Sequence, residues 1–80
     1  MNDLRILLNF LAGLEERKVS YRLEHNRQGS IMVLIALPGE RWEAEFFPDG
    51  NIELEVFGKS AGVHSVTMEN LVERLEEKSK

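Results

Sequence analysis

The fold is decided by the segment Ile31–Phe57, which reads IMVLIALPGERWEAEFFPDGNIELEVF. Three runs within it are typical of β-strands, because apolar residues either fill the run or alternate with polar ones. These runs are Ile31–Leu37, Arg41–Phe47 and Ile52–Phe57. Short segments containing proline and glycine separate them, and such segments are typical of tight turns. The segment therefore predicts three antiparallel strands joined by two hairpins.

The first turn, Leu37-Pro-Gly-Glu40, predicts how the first two of these strands pair. Proline presets φ at the second position of a type II turn, and glycine supplies the positive φ of the third. Counting back from the turn pairs Ile35 with Trp42, Val33 with Ala44 and Ile31 with Phe46. Every pair is apolar, and a slip of one residue would turn these side chains to the opposite face. Turn chemistry and hydrophobic phase therefore predict the same register.

The second turn, Pro48-Asp-Gly50, fits a three-residue hairpin loop that ends in a left-handed glycine. The predicted core pairs that follow are Phe46 with Ile52, Ala44 with Leu54 and Trp42 with Val56. On the other face, the same register places Glu45 opposite Glu53 and Glu43 opposite Glu55. Like charges at opposed positions destabilise a sheet. This second face is therefore the unusual feature of the sequence.

The flanking segments predict two helices and a further strand. Residues 3–18 have the apolar periodicity of an amphipathic helix, and residues 20–26 have the alternation of a strand. Residues 58–65, with two glycines, predict a loop, and Ser65 or Thr67 is expected to cap a second helix. The predicted apolar stripes are Leu4, Ile6, Leu7, Leu8, Phe10, Leu11 and Leu14 in the first helix and Met68, Leu71, Val72 and Leu75 in the second.

Together these elements predict an α+β fold with two layers in the order α-β-β-β-β-α. It consists of a four-stranded antiparallel meander with both helices packed on one face. We expect residues 1–80 to form a single domain. The predicted core face of the sheet carries Tyr21, Leu23, Ile31, Val33, Ile35, Trp42, Ala44, Phe46, Ile52, Leu54 and Val56.

The opposite face has no predicted element to cover it, and it is the candidate interaction face. Its residues are Arg22, Glu24, Met32, Leu34, Arg41, Glu43, Glu45, Glu53, Glu55 and Phe57. One interpretation is a solvated face on which Arg22, Arg41 and Lys59 relieve the repulsion. Another is a binding surface, where apolar side chains supply burial and glutamates select a basic partner or a second copy. A divalent-metal site is a third alternative, although carboxylates on a flat sheet rarely converge on one ion.

The composition narrows the classes of partner. The chain has 80 residues, a net charge of −4 and a pI of about 5.1, so we expect neither nucleic acid nor a membrane as partner. The absence of cysteine excludes disulfides, thiol nucleophiles and cysteine-ligated zinc, and it fits a reducing compartment. The amino-terminal segment lacks a basic leader. We therefore expect a cytoplasmic protein and no cofactor.

The two histidines offer the alternative of a small ligand-binding protein or an enzyme. His64 lies near Ser60 and Ser65 in the predicted loop, which suggests a nucleophile and a base. No orienting acid or oxyanion loop accompanies them, and His25 is distant in the sequence. We therefore predict no catalytic, cofactor-binding or metal-ligating residue.

The run Pro38–Gly50, PGERWEAEFFPDG, preceded by Ser30-Ile-Met-Val33, resembles the core of a group of short bacterial proteins of uncharacterised function. The similarity covers residues 21–57. It implies a free-standing bacterial cytoplasmic domain, and it brings no established activity. The layout is also similar to small immunity and antitoxin-type proteins, which is an analogy of fold alone.

Our leading hypothesis is a non-enzymatic protein-interaction domain that uses the acidic and apolar face. It would bind a basic protein or form a homodimer, and an immunity or antitoxin role would be one instance. A third hypothesis is a structural part of a larger assembly that pairs through both edge strands. In the four-stranded prediction these edges are residues 21–26 and 52–57, and neither contains proline.

Overall fold

The computed structural model describes residues 3–25, 27–58 and 61–78. The elements are α1 Asp3–Glu16, β1 Ser20–Glu24, β2 Ile31–Leu37, β3 Glu40–Phe46, β4 Ile52–Gly58, β5 Gly62–Val66 and α2 Met68–Lys78. The strands form one antiparallel sheet in the order β1-β2-β3-β4-β5. The predicted α+β class, with an antiparallel sheet and two helices, is confirmed.

The predicted register of the two central hairpins is also confirmed. Leu37 lies opposite Glu40, and the apolar pairs of β2, β3 and β4 follow as expected. Gly39 has φ of 74° and Gly50 has φ of 90°, the left-handed values that the two turns require. In the second turn, the Phe47 N–H donates to the carbonyl of Asn51 at 3.0 Å. Local turn chemistry therefore sets the register of the whole sheet centre.

The sheet has a fifth strand where the sequence predicted a loop, so the four-stranded prediction was wrong. Val63 pairs with Glu55 and His64 pairs with Leu54, which makes β5 rather than β4 the edge. The two glycines that indicated a loop lie at the ends of the connection. Gly58 ends β4 with φ of 133°, and Gly62 begins β5. Pairing with β5 satisfies backbone groups that β4 would otherwise leave open.

Both helices contribute to one hydrophobic core on a single face of the sheet. Leu14 of α1, Leu71 and Leu75 of α2, and Trp42 and Leu54 of the sheet belong to the same buried cluster. The apolar stripe of α2 is as predicted, since Met68 and Val72 pack partly buried against that cluster. The second helix is capped by Thr67 rather than Ser65, because the Asn70 N–H donates to the Thr67 hydroxyl at 3.1 Å.

The first helix buries a narrower stripe than the sequence predicted. Leu7, Phe10, Leu11 and Leu14 are buried, whereas Leu4, Ile6 and Leu8 are 65%, 45% and 54% exposed. At about 100° per residue, the exposed three lie on the flanks of the buried row. The predicted core residue Leu23 is likewise 49% exposed. It lies on β1, an edge strand, and beyond it no strand of the described residues continues the sheet.

Candidate interaction face

The face of the sheet opposite the helices, called the outer face below, brings the predicted site residues together. Strand alternation and the observed register place on it Arg22, Glu24, Met32, Leu34, Arg41, Glu43, Glu45, Glu53, Glu55 and Phe57. β5 adds Val63 and Ser65, which the sequence prediction missed because it placed them in a loop. The V-H-S-V alternation of residues 63–66 was the signal that could have identified them.

The opposed glutamates lie in two neighbouring rows across the strands. Glu43 lies opposite Glu55, and Glu45 lies opposite Glu53, as predicted. The row of Glu43 continues to Val63 on β5. A small depression of about 40 Å³ lies between the four carboxylates, Met32 and Val63. The outer face therefore combines acidic and apolar side chains at its centre.

Glu45 is not available to a partner, because the turn between β1 and β2 covers it. Its side chain is buried, and its residue is only 5% exposed. The Ser30 hydroxyl donates to its Oε2 at 2.6 Å, and Arg27 Nε lies 3.0 Å from the same oxygen. The Arg27 guanidinium also lies 5.8 Å from the centre of the Phe47 ring. The prediction that Glu45 belongs to an exposed surface was therefore wrong. Ser30 and Arg27, in the connection between β1 and β2, bury and neutralise its carboxylate.

Two further ion pairs neutralise part of the outer face. Arg41 Nη2 lies 3.7 Å from Glu43 Oε2, and the same guanidinium lies 4.4 Å from the centre of the Phe57 ring. Arg22 Nη2 lies 3.5 Å from Glu24 Oε2 on β1. Exposed pairs of this kind contribute about 0–1 kcal/mol each. They relieve local repulsion without fixing the side chains strongly.

On the outer face, Glu53 and Glu55 are the carboxylates without a described counter-ion. Among residues 3–25, 27–58 and 61–78, no lysine, arginine or histidine nitrogen lies within 4.0 Å of either one. Glu53 is exposed and Glu55 is half-buried. Next to them Val63 is 65% exposed. Lys59, which we expected to relieve repulsion here, lies outside the described residues.

The carboxylates of the outer face do not form a metal centre among the described residues, where no group of three or more histidine, aspartate or glutamate side chains could hold an ion. The pairing of these glutamates across flat strands explains this, because their side chains project in parallel from the sheet.

His64 lies on a strand and not on a loop, which separates it from the predicted nucleophile. It lies opposite Leu54 on the core face of the sheet, whereas Ser65 lies opposite Glu53 on the outer face. The other candidate, Ser60, lies outside the described residues. An open polar groove beside His64 is lined by Asn70, Glu73, Arg74 and Glu77 of α2. The His64–Ser65 pair therefore cannot act as base and nucleophile in this arrangement.

An apolar cavity of about 380 Å³ lies at the end of the sheet where α1 begins. Its lining includes Leu4, Ile6, Phe46, Phe47 and His25. The cavity was not predicted, because Leu4 and Ile6 were expected to lie in the core.

Two shifted pKa values occur at contacts that hold the helices to the sheet. The Trp42 indole N–H donates to Glu40 Oε1 at 3.0 Å, and Lys78 Nζ lies 3.0 Å from Glu40 Oε2. Both contacts lower the pKa of Glu40, and the hydrogen bond from the indole contributes more than the one from the ammonium. The Tyr21 hydroxyl donates to Glu15 Oε2, and this hydrogen bond raises the pKa of Tyr21. Both contacts are structural, since neither lies on the outer face.

Comparison with known proteins finds no family model, no curated protein and no solved structure that matches the chain. Neither of the helices seen in the described residues combines the length and the apolar character needed to cross a lipid bilayer.

Proposed function

We propose that this chain is a small non-enzymatic protein-interaction domain whose outer face binds a basic protein. The observation that carries the proposal is the pair Glu53 and Glu55, which lack a described counter-ion. Glu55 lies opposite the exposed Val63, and Glu53 lies opposite Ser65. A cationic side chain of a partner would neutralise these carboxylates, and an apolar neighbour in the partner would cover Val63. Charge complementarity and apolar burial would then act at the same place.

The net charge of the outer face favours a basic partner over a second copy on this face. It carries five glutamates, and three arginines lie on or over it, which leaves two negative charges. A symmetric contact of this face with itself would bring the uncompensated carboxylates of both copies into one interface, where desolvation makes like charges costly. Self-association through this face is therefore the rival form of the proposal.

A role as an immunity or antitoxin-type protein would be one instance of this function, because such a protein binds and blocks a partner without catalysing a reaction. The resemblance of Pro38–Gly50 to short bacterial proteins and the absence of cysteine support a place in the bacterial cytoplasm. A ligand-binding or enzymatic role for His64 has less support, because Ser65 lies on the opposite face of β5.

The proposal is tested with a defined probe, a lysine-rich peptide that also contains leucine, titrated into the isotope-labelled protein. We expect chemical-shift changes on the outer-face residues of β3, β4 and β5, and a loss of binding in the double variant E53K/E55K. The matched control is E73K/E77K, which changes the net charge equally on the exposed side of α2. Equal loss in both variants would reduce the effect to net charge and contradict a site.

The rival form is tested by the mass of the protein in solution. Leu34 lies at the centre of the outer face, opposite Glu43. Self-association through this face predicts a dimer that L34E disrupts. A mass unaffected by L34E, together with peptide binding lost in E53K/E55K, supports the basic partner.

A further inference from the structure

The edge of the sheet formed by β1 is open among the described residues. β1 is first in the strand order and pairs with β2 on one side. The backbone N–H and C=O groups on its other side therefore point away from the sheet, where an added strand could pair with them. The sequence of β1, SYRLE, contains no proline or glycine that would prevent such pairing.

Three exposed leucines belong to the helix and the strand at this edge, Leu4 and Leu8 to α1 and Leu23 to β1, and they are called the β1 flank below. Leu4 also lines the apolar cavity described above. On α1, positions 4, 8, 11 and 15 form one row at helical spacing. Glu15 of that row accepts a hydrogen bond from Tyr21 of β1, so the row faces β1. Leu23 lies on the same face of β1 as Tyr21, two residues further along the strand.

The directions of α1 and β1 place these leucines at the same end of the contact. The chain reverses at Lys18, which has φ of 58°, and the Val19 N–H donates to the carbonyl of Leu14 at 3.0 Å. Because the chain reverses there, α1 and β1 run in opposite directions. The start of α1, which carries Leu4 and Leu8, therefore lies at the same end as the end of β1, which carries Leu23.

We propose that a second copy of this chain pairs antiparallel with β1, with the two-fold axis at Leu23. The two sheets then join into one continuous sheet. Leu23 meets Leu23 of the second copy on the core face, and the α1 leucines of the β1 flank are covered across the axis. This contact lies at the β1 edge and includes only Arg22 and Glu24 of the outer face. It does not rest on the function proposed above.

The charges of β1 favour this register over the two neighbouring ones. With the axis at Leu23, Arg22 of each copy lies opposite Glu24 of the other copy on the outer face. An axis at Arg22 or at Glu24 would instead bring two like charges together, which is destabilising in a sheet. Arg22 and Glu24 already lie 3.5 Å apart within one chain. In the dimer the four charges would alternate in sign across the new strand pair.

The other edge, β5, lacks the features that favour this pairing. Val63 is exposed on the outer face, but the core side of β5 adjoins a groove lined by polar and charged residues of α2. Glu73, Arg74 and Glu77 lie there. Among the described residues of α2, no large apolar side chain is exposed beside β5, whereas α1 exposes Leu4 and Leu8.

The first test measures the mass of the wild-type protein by analytical ultracentrifugation from about 10 µM to 1 mM, a range that covers weak dimers. We expect a dimer that L23K weakens by at least about tenfold in Kd, because a charge would replace the apolar contact at the axis. A61K is the control, since it places the same charge on an exposed residue just before the other edge strand. A monomer throughout, or equal loss of the dimer in both variants, would overturn the proposal.

The second test addresses the register by exchanging charges. R22E and E24R each place like charges opposite one another across the axis, and we expect each to raise the dimer Kd by about tenfold. The double variant R22E/E24R restores opposite charges only when the axis lies at Leu23, so its Kd should return to within about threefold of the wild type. Circular dichroism of each variant establishes that it is folded. A double variant as weak as the single ones would exclude the register proposed here.

Discussion

The two faces of the sheet share the same strands, turns and register, yet their side chains differ in what they contribute. On the core face, Val33, Ile35 and Leu54 have no exposed surface. On the outer face, Glu53 and Glu55 follow the same alternation and meet Glu45 and Glu43 across the strands. The core face and the turns account for the register, and the opposed glutamates work against it. Folding does not require this destabilising arrangement, and local conflicts of this kind are typical of functional sites.

The largest effect that separates the faces is expected for Trp42→Ala. Trp42 is 1% exposed and is among the largest fully buried side chains of the described residues. Its removal should lower the free energy of unfolding by about 3–5 kcal/mol, because it leaves a cavity in the core. Urea denaturation followed by circular dichroism measures this change. Phe57→Ala, which truncates a half-buried ring of the outer face, should cost less than half as much. Equal costs would mean that the outer face contributes to the core.

The next effect tests the register on which both faces depend. Gly58 has φ of 133°, and a Cβ at this position would lie 2.6 Å from the carbonyl oxygen of Gly39. We expect Gly58→Ala to lower the free energy of unfolding by about 2–3 kcal/mol through backbone strain and this overlap.

Gly62→Ala is the control for that substitution. A Cβ at Gly62 would meet the movable side chain of His64 at 3.2 Å, so its cost should be below about 1 kcal/mol. Thermal melts of both variants make the comparison. A larger loss of stability for Gly62→Ala than for Gly58→Ala would contradict the expected overlap between a Cβ at residue 58 and the carbonyl oxygen of Gly39.

Glu45 is an exception to the difference between the two faces, because it lies on the outer face but is buried. Ser30→Ala removes the hydroxyl that donates to its carboxylate at 2.6 Å. We expect a loss of about 1–3 kcal/mol in the free energy of unfolding, because a buried charged group loses a hydrogen bond. Ser65→Ala, on the exposed part of the same face, should change stability by less than about 0.5 kcal/mol. Chemical denaturation measures the free energy of unfolding of both serine variants. Equal values for the two would contradict a stabilising role for the Ser30–Glu45 hydrogen bond.

The sequence predicted the parts of the fold that depend on local chemistry. The two hairpins could be predicted because Pro38-Gly39 and Pro48-Asp-Gly50 determine turn types that agree with the apolar phase of the strands. β5 could not, because its pairing with β4 is non-local and its flanking glycines are typical of a loop. The burial of Glu45 depends on Arg27 in a turn whose path the sequence does not specify.

The same reasoning explains the partial prediction of the site. Alternation along each strand was enough to bring the ten predicted residues to one face. Helical periodicity gave the apolar residues of α1 but not the width of the stripe that the sheet would cover. Both flanks of the buried row stay exposed, with Ile6 on one and Leu4 and Leu8 on the other.

A contact at the margin of the core face should make stability depend on pH. The pKa of Glu40 is lowered from its ordinary value of 4.5 by the Trp42 indole and by Lys78. A lowered pKa in the folded state means that the contribution to stability is present above about pH 4.5 and is lost as the pH falls through the lower folded value. The difference in free energy of unfolding between wild type and Glu40→Gln should therefore shrink below pH 4.5. Urea titrations at pH 7 and at pH 3 to 4 measure it. A difference that grows on acidification would contradict the assignment.

The smallest expected effect has the opposite sign and lies on the outer face. Glu53→Gln removes one of two like charges that oppose each other across β3 and β4, so we expect it to raise the free energy of unfolding by about 0.2–1 kcal/mol. The gain should diminish in high salt, because screening already weakens repulsion between exposed charges. Glu73→Gln, on the exposed surface of α2, is the control and should change stability little. A loss of stability in Glu53→Gln would mean that this carboxylate has a stabilising partner, and it would weaken the case for a binding surface at this position.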